Sequence, residues 1–228
     1  MAVRLTAGAV LFDLDGTLAD TLDDITSALN ATFAGVALAP RTREETVAWV
    51  GWGVRYLVEH AVPPDRAGEV DAIVARFREI YARDLIRTTA PYPGVPALLD
   101  GLVDRGVPIA VLSNKPHEMT LRIVREVFGR WSFAGAFGAR TGVPIKPDPT
   151  AALELAAALG EAPADCVFVG DTAVDVETAA RAGMVPVAVS WGFRSADELA
   201  AAGAAYVAPS ADALADWLRR AASAVTES

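Results

Sequence analysis

Cysteine is nearly absent from this chain: Cys166 stands alone, so no intramolecular disulfide framework can exist. Set inside the apolar run "CVFVG", that thiol reads as a buried structural group and not as a nucleophile. Histidine is almost as scarce, and His60 and His117 lack metal-ligand spacing, which leaves them as surface or packing residues. Positive charge is short too, with 20 Lys and Arg against 29 Asp and Glu and a net charge of −9. That balance excludes a broad basic surface for nucleic acid or anionic membrane, while local positive charge can still receive a small anion. No apolar run is long enough to span a bilayer as a helix, and "MAVRLTAGAVLFDLD" reaches charge too soon for a signal peptide. A soluble cytoplasmic protein, monomer or homodimer, is the expectation. There is no internal repeat, and the Ala-rich tail has ordinary helical composition.

What the chain does have is apolar content, 53% of 228 residues, enough for one large or two modest domains. Short runs rich in Val, Ile and Ala over 8–12, 107–112, 166–169 and 185–189 read as buried parallel strands, with a weaker candidate over 136–139. Helical patterns lie between the later ones. "TAALELAAALG" stops at Gly160 and "VETAARAG" at Gly183. Alternation of this kind predicts an α/β fold, a doubly wound parallel sheet.

The first connection is far too long for one crossover helix. It is helical throughout: Leu22, Ile25, Leu29, Phe33 and Val36 recur at three- and four-residue steps, as do Val70, Ile73, Val74, Phe77 and Tyr81. "TREETVAWVG" and "VRYLVEHA" supply two shorter helices. An inserted α-helical cap over 17–88 is expected, with 1–16 and 89–228 forming the α/β core.

Ligands of open parallel sheets bind beyond the carboxyl ends of the strands. In "AVLFDLDGTLAD" the first run delivers Asp13 and Asp15 to that edge. The second delivers Ser113, Asn114 and Lys115, and "CVFVGDTAVD" delivers Asp171 and Asp175. "IKPDP" places Lys146 just ahead of a helix start. Singly, each has a plain structural use: Asp175 can cap a helix, Ser113 and Asn114 can satisfy a turn, and Lys146 can be a surface residue. Together they put repelling carboxylates on one buried edge, which needs a compensating cation. Mg²⁺ suits oxygen ligands and can also hold a phosphate, with Ser113 and Lys146 donating to the other phosphate oxygens.

"DLDGT", "SN", "K" and "GDTAVD", in this order at these strand ends, resemble the four motifs of the haloacid dehalogenase superfamily. The resemblance covers essentially the whole chain, cap included. "SNKP", "KPDP" and "VGWGVRYLVEHA" are similar to phosphoglycolate phosphatases. The resemblance implies that Asp13 attacks phosphorus to form an aspartyl-phosphate, while Asp15 serves as general acid and then base. Asp13, Asp171 and the backbone carbonyl of Asp15 would bind the metal, with Asp175 acting through water or holding Lys146. Gly16 would allow the tight turn. Thr17 would steady Asp15 and, with Ser113 and Asn114, lie on the substrate side, where Lys115 would touch either substrate or Asp15. Arg55 would either meet a second anionic group from the cap or stand solvated on its helix, with Trp49 and Trp52 either walling the site or packing between cap helices. The implied partner is a small phosphorylated metabolite. Two other readings stay open: a phosphomutase similar to β-phosphoglucomutase, and a phospho-receiver module, which would lack the cap.

Overall fold

A computed structural model of the chain describes residues 8–223. It opens with β1 (Ala9–Phe12) and a two-residue strand, β2 (Ala19–Asp20). Four helices follow: α1 (Leu22–Ala34), α2 (Arg43–Trp49), α3 (Val54–Ala61) and α4 (Val70–Arg83). A second two-residue strand, β3 (Ala90–Pro91), precedes α5 (Val95–Val103). Strand and helix then alternate through β4 (Ile109–Pro116), α6 (His117–Val127), β5 (Gly135–Ala139) and α7 (Thr150–Leu159). The chain continues with β6 (Cys166–Gly170), α8 (Ala173–Ala182), β7 (Val185–Val189), α9 (Ala196–Ala201), β8 (Tyr206–Ala208) and α10 (Ala211–Ser223).

Six strands form one parallel sheet in the order β5-β4-β1-β6-β7-β8, with β1 near its centre. The alternation of β1 explains its unbroken apolar sequence. Val10 and Phe12 pack into one hydrophobic layer with Val111, Val167 and Val169, and Ala9 and Leu11 into the other with Leu112, Leu155 and Phe168. Both faces are covered, so no position on the strand can be polar until it ends. Among the described residues, no helix is long and apolar enough to cross a membrane.

Two details depart from the expected strands. The second strand does not stop at Leu112 but runs to Pro116, so Ser113, Asn114 and Lys115 lie in β4 itself. Asn114 and Lys115 find side-chain partners across the sheet edge, so polar residues can occupy extended, buried backbone there. The edge strand β8 was not anticipated, because three residues are too few to show a period.

The helical cap packs α1 against α4 through Ile25, Leu29, Phe33, Ile73, Phe77 and Tyr81, all buried. Where the chain leaves and re-enters the sheet, β2 and β3 pair antiparallel, matching Ala19 with Pro91 and Asp20 with Ala90. Asp24 fastens the return. Its carboxylate accepts from the backbone N–H groups of Arg87, Thr88 and Thr89 and from the Thr88 and Thr89 hydroxyls, at 2.7–3.1 Å. Burial alone would raise the Asp24 pKa, but these donors outweigh it and hold the carboxyl below its ordinary value.

Candidate active site

The end of β1 sets Asp13 at the sheet's carboxyl edge, flanked by β4 on one side and β6 on the other. Asp13 Oδ1 accepts from the Leu14 backbone N–H at 2.7 Å and pairs with Lys146 Nζ at 2.9 Å. The same ammonium donates to Asp175 Oδ1 at 2.6 Å, while Asp175 Oδ2 accepts from the Thr172 N–H and hydroxyl. Lys146 itself is held from behind, because Asn114 bonds both its backbone N–H and its carbonyl. Burial opposes the charge of Lys146, yet Asp13 and Asp175 raise its pKa above the ordinary lysine value. The ammonium therefore stays charged.

Asp171, at the end of β6, accepts from the Thr17 hydroxyl at 2.9 Å and from the Phe193 backbone N–H at 2.8 Å. Gly16 sits against it with a φ of +83°, and an added Cβ would collide with the Asp171 carboxylate. That is why the turn after Asp15 needs glycine. Asp15 turns the other way. Lys115 Nζ reaches its two oxygens at 2.8 and 3.0 Å, and the Thr21 hydroxyl donates to Oδ1 at 2.7 Å.

Asp13, Asp171 and Asp175 each offer a carboxylate oxygen within 4.8 Å of the others, and all three are buried. Desolvation pushes the Asp13 pKa up to about 7, with Lys146 pulling it back and Asp175 and Asp15 adding to the rise. Asp171 lies well above its ordinary value, first through burial and then through the charges of Asp175 and Asp13. Four carboxylates face only two ammonium groups at this edge, so ionising all four would leave two negative charges unbalanced. A divalent cation with oxygen preference fits that donor set. Both oxygens of Asp175 are already engaged, which makes it the holder of Lys146 more than a direct ligand.

A pocket opens over Asp13 and Asp15 between sheet and cap. Ser113, Asn114 and Lys115 line its core side; Ile25, Leu57, Phe77 and Tyr81 line its cap side. The loop from Val50 to Gly53 closes it from above, with Gly51 O accepting from Asn114 Nδ2 at 3.0 Å. Gly53 precedes α3 with a φ of +89°, a backbone turn that residues with a Cβ rarely make.

Two expectations need correction. Arg55 does not enter the pocket: its side chain is 60% exposed on the outer face of α3, paired with Glu59 at 2.7 Å and Asp71 at 2.6 Å. Helical phase turns Leu57, Val58 and Ala61 inward and leaves Arg55 and Glu59 outward. Thr17 does not hold Asp15; its hydroxyl serves Asp171, and Thr21 takes the place expected of it.

The remaining residues fall among the plainer readings. His60 stacks on Tyr56 at 3.7 Å, and His117 Nδ1 accepts from the Gly138 N–H. Trp52 packs at 5.7 Å from Tyr56, and Trp49 lies partly buried against the core. Neither indole lines the pocket. Burial, with Glu161 and Asp165 nearby, pushes the Cys166 thiol up to about 11, which keeps it unreactive.

Sequence reasoning missed Tyr81 as a site residue. Its hydroxyl accepts from Lys115 Nζ at 2.6 Å, and its ring lies 4.6 Å from the same ammonium. Its only signal was a place on the apolar stripe of α4. Also missed was the loop after β7, where Trp191 Nε1 donates to Thr17 O and Arg194 reaches the carbonyls of Val47, Ala48 and Val50.

The haloacid dehalogenase-like hydrolase family matches residues 7–183. A phosphoglycolate phosphatase of Rhodospirillum rubrum is 37% identical over 219 residues, covering 92% of this chain and 90% of that protein. One from Aquifex aeolicus is 35% identical over 184 residues, 81% of this chain and 85% of its own length. A crystal structure from Lactobacillus delbrueckii subsp. bulgaricus, provisionally a phosphoglycolate phosphatase, superimposes with a TM-score of 0.87 at 32% identity. That match covers 94% of this chain and 99% of the other. The chain belongs to the haloacid dehalogenase-like hydrolases, as a capped phosphatase of the phosphoglycolate phosphatase type.

Proposed function

We propose that the chain hydrolyses a small phosphate monoester in two steps through a phosphorylated Asp13, using Mg²⁺ and the segment 17–88 as its cap. The observation that carries this reading is the clamp on Asp13. A carboxylate made hard to ionise by burial is fixed by Lys146 and the Leu14 N–H at the mouth of a covered pocket. In the first step an Asp13 oxygen bonds to phosphorus, the ester P–O bond breaks, and Asp15 gives its proton to the departing alkoxide. In the second, Asp15 takes a proton from water, the water oxygen attacks phosphorus, and inorganic phosphate leaves Asp13. Ser113 and Lys146 hold phosphoryl oxygens, and the covered pocket limits bulk water. Mg²⁺, held by Asp13, Asp171 and the Asp15 carbonyl, would offset the surplus carboxylate charge and that of the phosphoryl group.

The names of the relatives make 2-phosphoglycolate the first substrate to try. Phosphate release from it and from small sugar phosphates should require Mg²⁺ and cease in excess chelator. Full turnover without metal would overturn the metal's part. Sugar phosphate isomerisation without phosphate release would replace hydrolysis by mutase chemistry.

A further inference from the structure

We propose that Tyr81 is the specificity-determining residue of the cap, donating its phenolic proton to an acceptor oxygen on the substrate's leaving group. This rests on the hydrolase reading above and names the class of alcohol released. Tyr81 is 1% exposed, yet it lines the pocket beside Asp15. Its oxygen accepts from Lys115 Nζ, but among the described residues no acceptor takes its hydroxyl hydrogen. A buried donor aimed at a pocket and left without an acceptor suits a ligand oxygen.

The two cationic side chains, Lys115 and Arg55, cannot serve as well. An ammonium has three donors, and those of Lys115 go to Asp15 Oδ1, Asp15 Oδ2 and the Tyr81 oxygen. Arg55 faces solvent. Burial, together with the charges of Asp15 and Asp24, raises the Tyr81 pKa and keeps the phenol protonated, so it acts as a donor. Around it, Ile25, Leu57 and Phe77 offer only hydrocarbon. The ligand that fits is a phosphate ester of a short alcohol bearing one carboxylate, carbonyl or hydroxyl oxygen on an otherwise apolar body. A larger polyol would press unpaired hydroxyls against these three side chains.

Tyr81→Phe removes the hydroxyl and keeps the ring. The readout is the ratio of kcat/KM for an acceptor-bearing ester (2-phosphoglycolate, or 2-hydroxyethyl phosphate if faster) to that for ethyl phosphate, an alkyl ester that lacks the acceptor. Both alcohols leave as alkoxides that need the Asp15 proton, so a general effect through Lys115 and Asp15 lowers both values and cancels in the ratio. The ratio should fall about tenfold, with the loss mainly in KM. A change smaller than about threefold, or a rise, overturns the subsite. So does a wild type that hydrolyses ethyl phosphate but neither acceptor-bearing ester, although the hydrolase reading then stands. A wild type inactive on all three esters removes the hydrolase reading and the subsite with it.

Discussion

Asp13 and Asp171 sit where burial resists their ionisation, and their stability effect has a definite sign. Desolvation lifts the Asp13 pKa from 3.8 to about 7, and burial lifts Asp171 in the same direction. The folded state then binds more protons than the unfolded one between those values, so stability is present at low pH and lost as pH rises. In chelator, the denaturation midpoint should fall between about pH 5 and about pH 8, and Asp13→Asn should flatten that fall. Carboxylates with lowered pKa values, such as Asp24 and Glu198, act in the opposite sense but at lower pH. Rising stability across the window would contradict the assignment. Arg55 supplies a second test. Because it is exposed and paired on the outer face, Arg55→Ala should change kcat/KM on 2-phosphoglycolate by less than about twofold. A tenfold loss would return it to the substrate. The carboxylates were legible because each closes an apolar run. Tyr81 and Thr21 were not, since their site role depends on partners brought together only by folding.

At the scale of elements, the buried strands and the four cap helices could be read from apolar runs and periodicity. The short pieces could not. β2 and β3 have two residues each and are held by their pairing and by neighbouring contacts, among them the bond from Tyr92 N–H to Leu18 O. Asp24 shows how a polar residue on an apolar helical stripe escapes such a reading. It sits between Leu22 and Ile25 on α1, yet it organises the backbone of residues 87–89 sixty-odd positions away. Asp24→Ala would strand these donors, of which the Thr89 N–H and hydroxyl are buried, and should destabilise the protein by about 1 to 3 kcal/mol, measured by urea unfolding. A change below about 0.5 kcal/mol would mean that water replaces the carboxylate without loss.

Across the whole molecule, cap and core meet through side chains that no local pattern connects. Arg194, beyond β7, donates to Val47 O at 2.9 Å, Ala48 O at 3.2 Å and Val50 O at 3.3 Å, covering the open carbonyl end of α2. Asn114 ties Gly51 to the Lys146 loop, and Lys115 joins the cap's Tyr81 to the core's Asp15. The cap thus rests over the carboxylates, a placement that the sequence left open. In the mechanism proposed above, the chemistry beneath it turns on one covalent bond, between Asp13 and phosphorus. The direct measurement is mass spectrometry of Asp15→Asn after brief exposure, with Mg²⁺, to an aryl phosphate whose leaving group needs no proton. Without a base to activate water, one phosphoryl group should remain on the peptide containing Asp13, and adding Asp13→Asn should remove it. Release of the aryl alcohol with no adduct on that peptide, or an adduct on any other residue, would contradict the assignment of Asp13.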